Sequence, residues 1–332
     1  GIFKGKSDLV MLDNDFKSIK KDVAQIIDFK TTGWSDRSYP NSLLGVMALI
    51  RQTFMDADWY YNSTQIIEKY PEQNPLIPFH PSLSELSDFR LNRKPILFVT
   101  KEEHGALRSL KIADEFNLNP WILGSGYEYR RLNLIAELNP FIIFPLDFPA
   151  KPKVKDPYVA LQYSTEQLKH WDMAPDNILK VFDKGLRFSL TSGTLKNKKE
   201  FRVNLQRIID RGLPKSVALS ALTTFPAEAM GVEKTMGKIQ PGYIANLVVT
   251  DGDYFNSKNR VTSLWINGEE IFVADRHKMS VEGDWELEIS GKSYELAFQT
   301  SQSKKGDNTI KVAPLGKEKL KGIIKGTDLD IN

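Results

Sequence analysis

The chain of 332 residues contains no cysteine and only four histidines, His80, His104, His170 and His277. The first absence excludes disulfides, thiolate metal sites and a cysteine nucleophile, without fixing a compartment. No run approaches the ~18 consecutive apolar residues that a membrane-spanning helix needs. The opening GIFKGKSDLVMLDND also lacks the basic, apolar, small-residue order of a signal peptide. A chain that opens on strand-like sequence is expected to be a piece of a longer protein, soluble and either cytoplasmic or periplasmic. Strong net charge is missing too: the formal balance is +3. Between Ser303 and Lys325 stand seven lysines and two acidic residues, but no arginine and no aromatic residue. Both of those help to hold exposed bases, so a solvated face is expected there and no nucleic-acid partner. What is present, 41% hydrophobic and 26% charged residues, is ordinary globular composition.

Apolar runs alternate with segments of helical period from Ile2 to Gly231. PILFVT (95–100) precedes HGALRSLKIADEFNL, where Leu107, Leu110, Ile112, Ala113 and Phe116 repeat at helical spacing. PWILGSG (120–126), a helical YRRLNLIAELN, PFIIFPL (140–146), KGLRFSLTSG (184–193) and a helical FRVNLQRIIDRGL follow. Such units imply a parallel sheet with crossover helices, apolar on both faces. SLLGVMALIRQTFMDADWYYNSTQIIEKY (42–70) reads as a long helix with Leu43, Met47, Ile50, Phe54 and Ala57 on one face. Proline-rich stretches at 71–81 and 145–157 read as surface loops. From Met236 the period becomes two: IANLVVTDGDYF and RVTSLWINGEEIF read as strands, with Asn267-Gly268 a type I′ hairpin signal. The last fifty residues continue in this way. Trp285, Leu287 and Ile289 are expected on one face, as are Tyr294, Leu296 and Phe298, with turns at Ser290-Gly291 and Lys305-Gly306. The expected divisions are 1–235, 236–275 and 276–332.

TTFPAEAMGVEKTMGKIQPGYIANLVVTDGD (223–253) followed by VTSLWINGEEIF closely resembles the C-terminal signature of the amidohydrolase superfamily, especially its imidazolonepropionase-like members. YPNSLLGVMALIRQTFMDADWY (39–60) and the run from MAPDNILKVFDKGLRFSLTSGTLKN into NLQRIIDRGLPKSVALSALTT resemble segments of a large bacterial subgroup of that family. The resemblance covers roughly residues 1 to 275. It implies an α/β fold, a partial TIM-like (β/α) barrel of the metal-dependent hydrolase type, with a small β-sandwich or β-hairpin C-terminal region. Read as local chemistry, Thr224 suits an N-cap with Pro226 in the first turn. Gly231 suits the position past the helix end, and Gly237 and Gly242 suit turns.

The resemblance also implies one or two metal ions, commonly zinc, at the C-terminal ends of the barrel strands. Their ligands would be a His-x-His pair, sometimes a lysine or glutamate, two further histidines and an aspartate. Such a metal acidifies its water and polarises an amide carbonyl, and needs about three protein ligands. This sequence has no His-x-His and no His-Glu-x-x-His. Where the resemblance places ligands, PILFVTK has Thr100 then Lys101, WILGSG has Gly124 and Ser125, and RFSLTSG has Thr191 and Ser192. Hydroxyls are poor, neutral zinc ligands beside imidazole or carboxylate.

No cofactor is therefore expected for this segment, and Thr100, His104 and Ser192 remain weak catalytic candidates. His104 begins a helix beside Glu102 and Glu103, His80 lies between prolines on a loop, and His170 ends a helix where a cation suits the dipole. Asp147 could face a pocket. Lys196, Lys198 and Lys199 read as solvated loop lysines. Gly124-Ser125-Gly126 lacks the Walker lysine, and Ser125 lacks a G-x-S-x-G frame.

The expected function is a family hydrolase of C–N bonds in cyclic amides or related substrates, degenerate in this segment and acting as a scaffold half. The expected partners are the rest of the same polypeptide, with a second such half in it, or a second copy in a homodimer. One rival is an active hydrolase whose zinc or other divalent metal is completed from upstream; another is a ligand-binding barrel. Loss of the first barrel strands would leave the parallel sheet with an unpaired edge.

Overall fold

The computed structural model describes residues 1–31, 39–72 and 75–274, and beyond them the backbone of five strands. These residues pack as two compact units. The first is 1–246 with 253–258 and 265–269; the second is 247–252, 259–264 and 270–332.

The first unit opens with β1 (Phe3–Val10) and β2 (Ser18–Asp28), an antiparallel pair. Two helices, α1 (Leu43–Lys69) and α2 (Pro81–Leu91), lead to β3 (Pro95–Val99). Next come α3 (Glu103–Glu115), β4 (Asn119–Leu123), α4 (Leu132–Ala136) and β5 (Phe141–Pro145). Helices α5 (Pro157–Ala160), α6 (Thr165–Met173) and α7 (Asp176–Asp183) lead to β6 (Phe188–Thr191). The unit continues with α8 (Glu200–Asp210), α9 (Lys215–Leu222) and α10 (Thr224–Ala229). The six strands form one half-barrel sheet in the order β1-β2-β3-β4-β5-β6, parallel from β2 onward. This is the expected α/β fold class. The parallel strands are short and apolar, and the register puts Ile27, Phe98, Ile122, Ile142 and Phe188 on one face, with Ile96 and Phe144, all fully buried. On the other face Ile26, Leu97, Leu123 and Ile143 are half-buried.

The edge ahead of the parallel strands is occupied by β1, whereas at the other end β6 pairs only with β5 among the described residues, so the parallel strands keep one unpaired edge, as expected. The register of β1 with β2 shifts three times, between Phe3 and Gly5, Ser7 and Leu9, and Leu9 and Val10. The long helix α1 forms as expected, with the Ser42 hydroxyl accepting a hydrogen bond from the Gly45 amide at 3.1 Å. Its buried stripe differs: Val46, Ile50, Phe54, Ala57 and Tyr60 face the core, whereas Leu43 and Met47 are only half-buried. The reason is that α1 carries apolar residues on two sides, so spacing alone does not fix which side packs.

Gly231 sits past the end of α10 with φ +67°, as expected. Thr224 is the first helical residue rather than the cap. The chain turns one residue earlier, at Thr223, whose hydroxyl donates to the Leu219 carbonyl at 2.7 Å.

In the second part of the chain β7 (Leu247–Thr250), β8 (Val261–Ile266) and β9 (Glu269–Phe272) form a three-stranded sheet in that order. Asn267 (φ 52°) and Gly268 (φ 88°) join β8 to β9, the double positive φ of a type I′ turn. The strands β10 (Gly283–Ile289), β11 (Lys292–Gln302), β12 (Asn308–Pro314), β13 (Leu320–Lys325) and β14 (Asp328–Ile331) make an antiparallel sheet in sequence order. The turn pairs Ser290-Gly291 and Lys305-Gly306, and the side-chain faces expected for these strands, lie outside the described residues.

Candidate functional site

The C-terminal ends of β2 to β6 lie side by side, and each sequence candidate except His80 and His277 belongs to an end or to the loop or helix after it. Thr100 follows β3 and is buried; its Oγ1 donates to the Leu123 carbonyl at 2.8 Å, tying it to the end of β4. Gly124 continues β4, its amide donating to the Ile143 carbonyl at 2.9 Å. A Cβ there would stand 2.8 Å and 2.9 Å from the Phe144 ring and 3.3 Å from Ile142, so the position admits no side chain while Phe144 keeps its place.

Ser125 is engaged by a residue that the sequence reading missed. Glu128, fully buried in a 3-10 turn (Glu128–Arg130), accepts from the Ser125 amide (2.6 Å), the Ser125 hydroxyl (2.9 Å) and the Gly126 amide (3.0 Å). It also accepts from Asn177 Nδ2 of α7 at 2.7 Å. Asn177, itself buried, accepts from the Tyr129 amide at 2.7 Å through Oδ1. A buried carboxylate is tolerable only when its lone pairs are satisfied in this manner. The signal was present as Ser125-x-x-Glu128, the spacing of a capping box.

At the end of β6, Thr191 Oγ1 accepts from the Gly193 amide at 3.0 Å. The Ser192 carbonyl accepts from the Leu195 amide (3.1 Å) and from Lys198 Nζ. Lys198 also donates to the Gly193 carbonyl at 3.1 Å. Lys196, Lys198 and Lys199 are all exposed, as expected, and the head of Lys198 also folds back onto the turn it follows.

The histidines do not converge. His104 is exposed in the first turn of α3, with Nδ1 3.7 Å from Glu103. His80 is not simply a loop residue; it caps α2, Nδ1 accepting from the Leu83 amide at 3.3 Å. His277 lies outside the described residues. His170 sits in the last turn of α6, but as a buried ring stacked on Tyr127 at 3.7 Å between centroids and on Tyr129 at 6.2 Å. Burial first, and the nearby Arg130 charge second, push its pKa below the ordinary imidazole value. The expected cation at a helix end is thereby overturned: desolvation favours neutral imidazole. Arg130 lies over Tyr127 at 4.6 Å and pairs with Glu166 (2.8 Å) and Glu103 (3.5 Å).

Two cavities open among these elements. One, about 20 Å³, is lined by Ser125, Asp147, His170 and Asn177 among others, so Asp147 does face a pocket. The other, about 420 Å³, lies at the ends of β2 and β3 and is lined by Asp28, Phe29, Val99, Thr100, Lys101 and Arg108 among others. Among the described residues no three His, Asp or Glu side chains gather where they could hold a metal ion. The hydroxyls of Thr100 and Ser125 already have partners within the fold, so these strand ends do not fit the metal that the resemblance implies.

Residues 176–271 match the Amidohydrolase family. A stretch of 61 residues is 38% identical to amidohydrolase tasK of Hapsidospora irregularis, covering 18% of this chain and 6% of that protein. The crystal structure of an amidohydrolase from Thermotoga maritima MSB8 is similar to this chain with a TM-score of 0.65 and 21% identity, over 82% of this chain and 69% of that one. That likeness speaks for the fold alone. The structure of A. niger ochratoxinase overlaps 59% of this chain and 46% of its own, at 15% identity and a TM-score of 0.39, too low to speak even for that. No helix among the described residues is long and apolar enough to cross a membrane.

Proposed function

We propose that this chain is a catalytically degenerate amidohydrolase-type half-barrel, acting as the scaffold half of a larger hydrolase of C–N bonds. The imidazolonepropionase-like resemblance points to cyclic amides as the substrate class of the whole. The observation that carries this reading is the chemistry of the strand ends. Thr100 and Ser125 stand where ligands are expected, with their hydroxyls turned to a backbone carbonyl and to a buried carboxylate. Gly124 has no room for a ligand side chain. Glu128, the nearest buried carboxylate to that turn, already accepts four hydrogen bonds. Recruiting it to a cation would leave the Ser125 and Gly126 amides without acceptors, a loss of about 1–3 kcal/mol each. The small share of the curated relative matched here, 6% of its length, is compatible with a role inside a longer protein.

The test is elemental analysis of the full chain after expression with added zinc, manganese or nickel. Metal well below one ion per chain is the expected result, with no hydrolysis of cyclic amides or ureas. Stoichiometric metal that is lost when Thr100 or Ser192 is replaced would overturn the reading, in favour of an atypical metal site.

The cavity of about 420 Å³ favours a second reading, a ligand-binding barrel that keeps a pocket without the reaction. Its volume falls in the range of small-molecule sites. Such a protein gains melting temperature with a small amide or carboxylate in proportion to affinity; Thr100→Leu would remove that gain.

A further inference from the structure

Helix α1 presents two apolar faces, and only one of them meets the core. The core-facing stripe is Val46, Ile50, Phe54, Ala57 and Tyr60. On the opposite side Leu44 is 78% exposed, Met55 55%, Trp59 59% and Ile66 53%. Ala48 is exposed between them, and Tyr70 at the helix cap is 45% exposed. At 100° per residue these six positions fall within one narrow band running the length of the helix, roughly 40 Å at 1.5 Å per residue. None of its positions is itself charged, and at its C-terminal end Lys69 Nζ lies 5.2 Å over the Tyr70 ring. The polar members of the band are amides, Gln52 and Asn62, both exposed.

We infer that this band is the contact surface for a second copy of the chain, packed antiparallel across a two-fold axis beside residue 57. A two-fold contact must be self-complementary, because each residue meets the one reflected through the axis. An antiparallel pair centred on 57 brings residue n opposite residue 114 − n of the other copy. Under that operation Leu44 meets Tyr70, Ala48 meets Ile66, Met55 meets Trp59, and Gln52 meets Asn62. Every apolar member of the band falls on an apolar member, and amide falls on amide. A band built for an unrelated partner has no need of this symmetry.

The extent is also sufficient. The exposed fractions of these side chains amount to on the order of 600 Å² of apolar surface, given what large side chains carry. Two copies would then bury about 1,200 Å² from the band alone, at the threshold of a specific dimer. Patches of that size are uncommon on monomers without a function. Trp59, beside the axis and ringed by Met55 and the amides, has the position and chemistry of a hot spot. The inference does not depend on the loss of hydrolytic chemistry, and either can fail alone.

The experiment is sedimentation velocity on the full chain over a range of concentrations. The wild type is expected to sediment as a dimer. Trp59→Lys is expected to raise the dimer dissociation constant roughly thirtyfold or more, with its circular dichroism and melting temperature unchanged apart from the loss of association. Leu219→Lys, at an exposed position on α9, is expected to leave the dimer intact. Because the chain has no cysteine, Met55→Cys and Trp59→Cys give clean single-thiol variants. Mixed, they are expected to form a 55–59 disulfide faster than either variant forms a bridge with itself. A monomeric wild type, a dimer that survives Trp59→Lys, or faster self-bridging than mixed bridging would each overturn the proposal.

Discussion

Glu128 holds an ionisable group with no exposed surface, at the centre of a turn that joins the end of β4 to α7. Removing its carboxyl leaves the Ser125 and Gly126 amides and Asn177 Nδ2 unsatisfied, at a typical cost of about 1–3 kcal/mol each. Glu128→Ala is accordingly expected to lower stability by about 3 kcal/mol or more in urea unfolding. A change under 1 kcal/mol would mean that water replaces the carboxylate. His170 makes a second prediction, in pH. Its folded-state pKa is depressed by burial, so the unfolded chain takes up a proton first as pH falls. Stability from this site is complete above the ordinary histidine value near 6.5 and declines as pH drops through the lower folded value. Unfolding at pH 7.5 and 5.5 is expected to show a decline in the wild type that His170→Phe, which keeps the stack on Tyr127, reduces. An equal decline in the variant would remove His170 from the account. The two roles differ in how far sequence reveals them. Glu128 leaves a local signal in the Ser125-x-x-Glu128 spacing, whereas for His170 only the helix end is legible; its stacking partners stand 43 and 41 positions away and leave no local trace.

At the scale of the element, what was legible followed local rules. The apolar runs of β3 to β6 and the cap of α1 come from spacing and residue type within a few positions, and so does the Asn267-Gly268 turn. What was misread depended on partners. Thr224 has the right residue type for a cap, but Thr223 is spent on α9 and the helix begins between them. The core face of α1 was displaced because two apolar bands compete for the same periodicity. Phe54 distinguishes them: it is fully buried, with Phe116 5.2 Å away and Phe3 6.1 Å away. Phe54→Ala is expected to cost about 3–5 kcal/mol, measured by chemical unfolding, whereas Leu44→Ala on the outer band should cost under 1 kcal/mol of chain stability. Gly237 makes a similar test. It has φ +88°, and a Cβ there would stand 2.8 Å from Ala227 and 2.9 Å from the Thr223 carbonyl. Gly237→Ala is expected to lower the melting temperature by several degrees, since neither the Ala227 Cβ nor the Thr223 carbonyl can swing aside as a long side chain would.

Across the whole sheet, the opening stretch FKGKSDLV is strand-like in sequence and forms β1; what its own pattern does not carry is the antiparallel direction, which pairing with β2 sets. Once formed, β1 blunts the edge that β2 would otherwise present. Register shifts, Gly5 at φ +98°, and outward lysines are features that discourage a further strand from adding. Lys6 is held by Asp22 and Glu85, at 2.8 and 2.9 Å. Replacing Lys4 and Lys6 together by valine is expected to bring earlier aggregation on heating, read by light scattering, with little change in the circular dichroism of the native state. No change in aggregation would mean that this edge is protected in another way.

Gly124 sets a condition on any attempt to place a metal ligand at the end of β4. Because the Phe144 ring occupies the space a Cβ would need, a histidine introduced at that turn arrives as a collision before it can act as a donor. Installing an imidazole there would have to begin with a smaller residue at 144, itself a loss of packing in the centre of the sheet. Neither substitution alone delivers a donor to this turn.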